Sequence, residues 1–177
     1  MDKFTRKTFL IADTHFGHAN IIKYENRPFE NVEDMDKLII ENWNKVVQKN
    51  DLVFVLGDVS LYNKDKTIQI IQELSGQKTL ILGNHDKSRS PTFWRSVGFT
   101  EVYKYPIIFK NFYILSHEPI YLNSNMPYMN IHGHIHSKKV VSLEEDKKIQ
   151  QFFNVSVENI NYTPINFNFI KNLSRGT

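Results

Sequence analysis

Leu52-Val53-Phe54-Val55-Leu56-Gly57-Asp58 is the stretch on which the reading of this chain turns. Its apolar run, rich in branched and aromatic residues, reads as a buried strand, and the glycine then allows a sharp turn that places Asp58 at the strand end. Towards the N-terminus, Thr8 to Ala12 is a second such run, and between the two Asn31 can cap a helix running to about Lys49. Val32, Met35, Leu38, Ile39, Val46 and Val47 supply that helix with an apolar face. Towards the C-terminus, Lys66 to Leu74 reads as another helix and Thr79 to Leu82 as a third strand. The order strand, helix, strand, helix, strand implies an α/β sheet with parallel strands.

The second half has a different texture. Tyr113 to Leu115, Tyr128 to Ile131, Lys139 to Leu143 and Gln151 to Val155 are strand-like, with few helical signals between them. Glu144 to Lys148 would form the turn of a hairpin, and Thr163-Pro164 reads as a cap and first position opening a terminal helix to about Leu173. Two sheets packed face to face, with helices outside, accommodate both halves. The whole, residues 1–177, is expected to form one domain.

Composition narrows the function classes. Hydrophobic residues make up 41% and charged residues 23% of the chain, which excludes wholesale disorder. No apolar run approaches the eighteen or so residues of a membrane helix, and Phe9 to Ala12 is too short for the core of a secretion signal. Without cysteine there is no disulfide framework, no thiolate nucleophile and no Cys-ligated zinc, and the expected compartment is the cytoplasm. The net charge of +3 is mild. Lys and Arg are spread along the sequence, and Lys147-Lys148 directly follows Glu144-Glu145-Asp146, so these charges read as solvated surface. A protein tracking a phosphate backbone concentrates its positive charge on one stripe; a nucleic-acid partner is therefore not favoured, and a membrane is not expected.

The seven histidines carry the functional signal. His15, His18, His85, His117, His132, His134 and His136 all fall near expected strand ends, in segments that also hold Asp, Asn or Gly. Sites in α/β sheets are built at the C-terminal ends of strands. After the first strand, Asp13-Thr14-His15 places a carboxylate and an imidazole two residues apart, on one side of an extended chain and within reach of one cation. Gly57-Asp58 follows the second strand, and Gly83-Asn84-His85-Asp86 the third. His117 ends a strand of the second half. In His132-Gly133-His134-Ile135-His136 the last two imidazoles again have the two-residue spacing, and Gly133 permits close backbone approach. Burying several imidazoles without function would require a partner for each.

In this order, Asp-x-His, Gly-Asp, Gly-Asn-His-Asp, His and Gly-His-x-His closely resemble the calcineurin-like metallophosphoesterase superfamily, in the spacing of a minimal member without a cap domain. The likeness extends through Asp13 to Ile22, Arg27-Pro28-Phe29, Asn42-Trp43-Asn44, Phe153-Asn154-Val155 and Asn161 to Ile165, which resemble a small single-domain branch found in bacteria and their phages. The resemblance implies a four-layer α/β-β/α sandwich, two mixed sheets flanked by helices, with two divalent metal ions over the strand ends. Asp13, His15, Asp58 and His136 would hold the first metal; Asp58, Asn84, His117 and His134 the second, with Asp58 bridging. His85 would protonate the leaving oxygen or stabilise the transition state, and Asp86 is the natural group to orient its imidazole. Arg27 is a candidate phosphate contact through its bidentate donors, and His18 and His132 are candidates for touching substrate or for supporting the site by hydrogen bonds from behind the ligands.

The activity implied is hydrolysis of a phosphate ester, by a phosphodiesterase or phosphatase, through in-line attack of a hydroxide bridging the metals. Two carboxylates against two divalent ions and one hydroxide leave a net charge of +1, which attracts phosphate; the metal-free site would repel it. Activity should therefore depend strictly on metal. Imidazole, carboxylate and amide ligands suit Mn²⁺, the first expectation, and also Fe²⁺, Zn²⁺, Co²⁺ or Ni²⁺ better than Mg²⁺. The substrate is expected to be a small molecule or nucleotide. The alternative enzyme is a nuclease of the same superfamily, whose nuclease members tend to carry further DNA-holding domains. The non-enzyme alternative is an interaction scaffold on the same fold.

Overall fold

A computed structural model describes residues 6–123, 125–140 and 151–174. In chain order the elements are β1 (Thr8–Ile11), α1 (Ala19–Tyr24), α2 (Val32–Val46), β2 (Leu52–Val55), α3 (Lys64–Glu73), β3 (Gln77–Ile81), α4 (Pro91–Ser96), β4 (Glu101–Tyr103), β5 (Ile107–Phe109), β6 (Tyr113–Leu115), β7 (Met129–His132), β8 (Phe152–Asn154), β9 (Ile165–Asn166) and α5 (Phe167–Leu173). They build two mixed sheets with flanking helices, ordered β4-β3-β2-β1-β9 and β5-β6-β7-β8. In the first, β1 to β4 run parallel and β9 is antiparallel to β1. In the second, β5 is antiparallel to β6, and β6, β7 and β8 are parallel.

Side-chain alternation explains the layering. Phe9, Ile11, Val53, Val55 and Leu80 share one core with Met35, Ile39 and Trp43 of α2, Ile70 and Ile71 of α3, and Trp94 of α4. The intervening Leu10, Ala12, Phe54, Leu56 and Ile81 belong to a second core, with Leu115, Ile131 and Val155 from the other half. A sheet buried on both faces favours apolar residues on both, so β1 and β2 read as nearly continuous apolar runs, while β3 buries Lys78 and Thr79 as well. Helix α5 lies against β1 and β9 and sets Phe167 against the rings of Phe109 and Tyr113.

Local chemistry sets the helix ends. The Asn31 side chain accepts from Asp34 N and opens α2 as expected, but the helix stops at Val46, because Val47 is extended and Gln48 N donates to Asp51 Oδ2. Asn63 accepts from Lys66 N, so α3 starts at Lys64 rather than Lys66. Helix α4 has a Ser90 cap and Pro91 in its first turn. The terminal helix requires a correction: Thr163-Pro164 does not open it. Ile165 and Asn166 pair with Leu10 and Phe9, and the Asn166 side chain caps α5 by accepting from Asn168 N. Both starts satisfy local rules, and the free edge of β1 decides between them. Lys139 and Val140 lie outside any strand. The remainder of the expected strand to Leu143 and the Glu144–Lys148 turn lie outside the described residues.

Two hydrogen bonds sew the sheets together where it matters for function. Ala12 N donates to Val155 O at 2.9 Å and Val157 N to Ala12 O at 3.1 Å, so the carboxyl ends of β1 and β8 meet. Among the described residues, no helix is long and apolar enough to cross a membrane.

Candidate metal centre

Every expected ligand follows a strand end, but for five of the seven the backbone that presents it is not extended. Asp13 (φ 59°), His15 (φ 50°), Asp58 (φ 55°), His134 (φ 69°) and His136 (φ 50°) are all left-handed. Asp13 and His15 therefore converge not along an extended chain, as expected, but through two left-handed residues, a conformation that Asp, Asn and His tolerate better than most. Each such residue costs on the order of 1–3 kcal/mol unless its surroundings compel it, and clusters of them mark functional sites. Asp13 N donates to Gly57 O and His15 N to Asp58 O, which keeps the two turns in register.

The side chains form two groups. Donor atoms of Asp13, His15 and His136 lie within 4.8 Å of one another, as do those of Asp58, His117 and His134. Asp58 joins them: its Oδ2 is 3.5 Å from His15 Nε2 and 3.5 Å from His117 Nε2. Asn84 Oδ1 completes the second group, 2.9 Å from His117 Nε2 and 3.0 Å from His134 Nδ1. His134 and His136 thus divide between the groups.

Metal ions fit these residues. Asp13 Oδ1 and His15 Nε2 are buried without a hydrogen-bond partner, whereas Asp13 Oδ2 accepts from both Ser156 Oγ (2.7 Å) and His134 N (2.9 Å). One carboxylate oxygen is fastened and the other left for a ligand. Burial pushes the Asp13 carboxyl up to about 7, against the pull of His136 and the Ser156 hydrogen bond. It raises Asp58 as well, against the hydrogen bond from His85 N. Burial takes the His117 imidazole down to about 4; it depresses His15 further, helped by the positive charge of Arg27. Neutral imidazoles offer the lone pairs that cations bind, and a cation would relieve the cost of burying the carboxylates.

The other candidates separate clearly. His85 stands at the rim with its side chain 45% exposed and Nε2 4.0 Å from Asp58 Oδ2, outside both donor groups. Half-buried His18 places Nδ1 3.2 Å from His15 Nδ1 and its ring 6.1 Å from that of His85. Asp86 does not orient the His85 ring: it is buried and accepts from Asp58 N, Val59 N and Gly83 N, so it clamps the turn carrying Asp58. His132 is buried with Nδ1 on Gly133 O, out of reach of a substrate. Arg27 is not a phosphate contact. Its side chain is fully buried, and its donors go to Glu158 Oε1, Asp13 O and Thr14 O.

Glu158 and Ser156 were missed by sequence reading, and Asn154 entered it only within the Phe153-Asn154-Val155 resemblance, with no role at the site. Glu158 Oε1 meets His136 Nδ1 at 3.0 Å, and Asn154 Oδ1 accepts from Ser156, whose hydroxyl reaches Asp13. No local pattern marks Glu158 or Ser156; the meeting of β1 and β8 brings them to the site.

Three glycines make room for it, and at Gly83 a Cβ would overlap Asp58 Oδ1 and N. Gly57 has φ 86°, and a Cβ there would collide with the His117 ring and the Gly83 backbone. A Cβ on Gly133 would overlap Ala12 Cβ and Asp13 Oδ2. Gly133→Ala should lower the thermal midpoint, by roughly 1–3 kcal/mol of overpacking, and weaken metal uptake. Unchanged melting and metal content would show that the turn has slack.

The chain belongs to the calcineurin-like phosphoesterase family, whose model matches residues 6–174. Membership supports metal-dependent hydrolysis of phosphoesters in general. An uncharacterized protein of Methanocaldococcus jannaschii is 42% identical over 173 residues, covering 95% of this chain and 91% of that protein. The gene 66 protein of Mycobacterium phage L5 is 37% identical over 82 residues, 45% of this chain and 39% of its own length. The crystal structure of a protein of unknown function from Aquifex aeolicus aligns with a TM-score of 0.72 at 26% identity, over 96% of this chain and 100% of that one.

Proposed function

We propose that this protein is a binuclear-metal-dependent hydrolase of a small or accessible phosphate ester, a phosphodiesterase or phosphatase. The observation that carries the reading is Asp58 Oδ2, 3.5 Å from an imidazole nitrogen of each donor group, so that one carboxylate would serve both groups. Asp13, His15, Asp58 and His136 would hold one ion, and Asp58, Asn84, His117 and His134 the other, with Mn²⁺ the first choice. Such ions polarise phosphate oxygens and acidify a water between them. The chain's own part is to hold the phosphate beside His85, whose exposed ring can donate a proton to the leaving oxygen. His18, beside His15 and His85, lines the approach. Asn84 and His85 are exposed, which supports a substrate that reaches an open face.

The test compares Mn²⁺-loaded protein on bis-p-nitrophenyl phosphate and p-nitrophenyl phosphate. Cleavage of either supports the reading, and the preferred one sorts diester from monoester chemistry. Cleavage of neither by protein carrying its metal contradicts it.

A further inference from the structure

We propose that the Arg27–Glu158 ion pair is the positioning element of the first donor group, holding Asp13, His15 and His136 for one cation while leaving the second group unaffected. The inference rests on the metal-centre reading and extends it to two residues outside the ligand set. Glu158 Oε1 takes Arg27 Nε at 2.9 Å, Arg27 Nη2 at 2.7 Å and His136 Nδ1 at 3.0 Å. A proton shared on the Nδ1 side leaves the His136 Nε2 lone pair free, and a carboxylate behind a metal-binding imidazole fixes both its tautomer and its ring plane. The same guanidinium donates through Nη2 to Asp13 O at 2.8 Å and through Nη1 to Thr14 O at 3.2 Å. One side chain thus ties the left-handed turn of Asp13 and His15 to the carboxylate behind His136.

Two physical arguments favour positioning over plain stabilisation. Both side chains are almost wholly buried, 0% exposed for Arg27 and 7% for Glu158, and buried ion pairs are seldom worth more to stability than apolar residues of similar volume. Asp13, His15 and His136 are also left-handed, a strain that lasts only where surrounding contacts over-determine it, and Arg27 with Glu158 supplies those contacts. Most supports of the second group are its own: His117 Nδ1 meets Leu56 O, Asp58 Oδ1 accepts from His85 N, and Asp86 clamps the Asp58 turn, while His134 N donates to Asp13 Oδ2, the oxygen that Ser156 also holds. Neither Arg27 nor Glu158 takes part in those bonds.

Mn²⁺ titration of the chelator-stripped full chain by calorimetry tests the proposal, with circular dichroism to confirm folding. Glu158→Gln keeps the shape and removes the charge; Glu158→Leu combined with Arg27→Met removes both charges. His15→Ala and His117→Ala report what losing each group looks like. The expected result is one ion bound as in wild type and the other weakened about 10–100-fold, most in the double variant, in the pattern of His15→Ala. Two ions bound with wild-type affinity would overturn the proposal, as would equal weakening of both. If the double variant does not fold, Glu158→Gln decides by the same criteria. A wild-type chain that takes up fewer than two ions would instead defeat the metal-centre reading itself.

Discussion

Asp58→Asn is expected to weaken both cations together and to reduce turnover of a phosphoester by at least about 10²- to 10³-fold, the rate equivalent of losing several kcal/mol of charge stabilisation. Asparagine has nearly the same shape and can still accept the hydrogen bond that His85 N gives Oδ1. It cannot supply the charge, and its amide would turn a donor, or a weaker acceptor, towards His15 and His117. No other carboxylate oxygen among the described residues lies within 3.5 Å of both imidazoles. The fold should survive. Burial raises the Asp58 carboxyl above its ordinary range, so its ionised form burdens the empty protein, and the metal-free variant should melt no lower than wild type. Metal analysis and melting curves on the same preparation check both halves. Normal metal content with normal turnover would remove Asp58 from the centre.

The second large effect should separate chemistry from metal binding. His85→Ala should retain both ions and lose about 10²- to 10⁴-fold in kcat, the usual worth of a positioned acid or base. The backbone supports the distinction: it is His85 N, not the ring, that donates to Asp58, and alanine keeps that bond. The ring itself is at the rim, outside both donor groups. Loss of an ion in this variant would make His85 a ligand, and an unchanged kcat would dismiss it from the reaction.

What could be read beforehand follows the range of the interactions concerned. The strands β1 and β2 were legible because a sheet covered on both faces favours uninterrupted apolar runs, and Leu52 to Leu56 is such a run; β3 was legible only from Thr79, because it begins with the polar Gln77 and Lys78. The donor residues were legible because left-handed turns at strand ends favour Asp, Asn, His and Gly, the same residues that the chemistry requires. Arg27 misled because a guanidinium beside a Pro-Phe turn carries no local mark of burial; its partners, Asp13 and Glu158, are 14 and 131 residues away. Asp86 misled because its neighbour in sequence, His85, is not its neighbour in bonding. The start of α5 was displaced by pairing with β1, which no propensity within residues 163–167 encodes.

Metal dependence is the centre of the account, and stripping and reloading test it directly. The protein should be freed of metal with a strong chelator, dialysed, and assayed on bis-p-nitrophenyl phosphate and p-nitrophenyl phosphate before and after return of Mn²⁺, with bound metal measured on each sample. The account predicts no hydrolysis by the stripped chain and recovery that saturates at two ions per chain. Full activity in the stripped protein, or none after two ions have been restored, would contradict it.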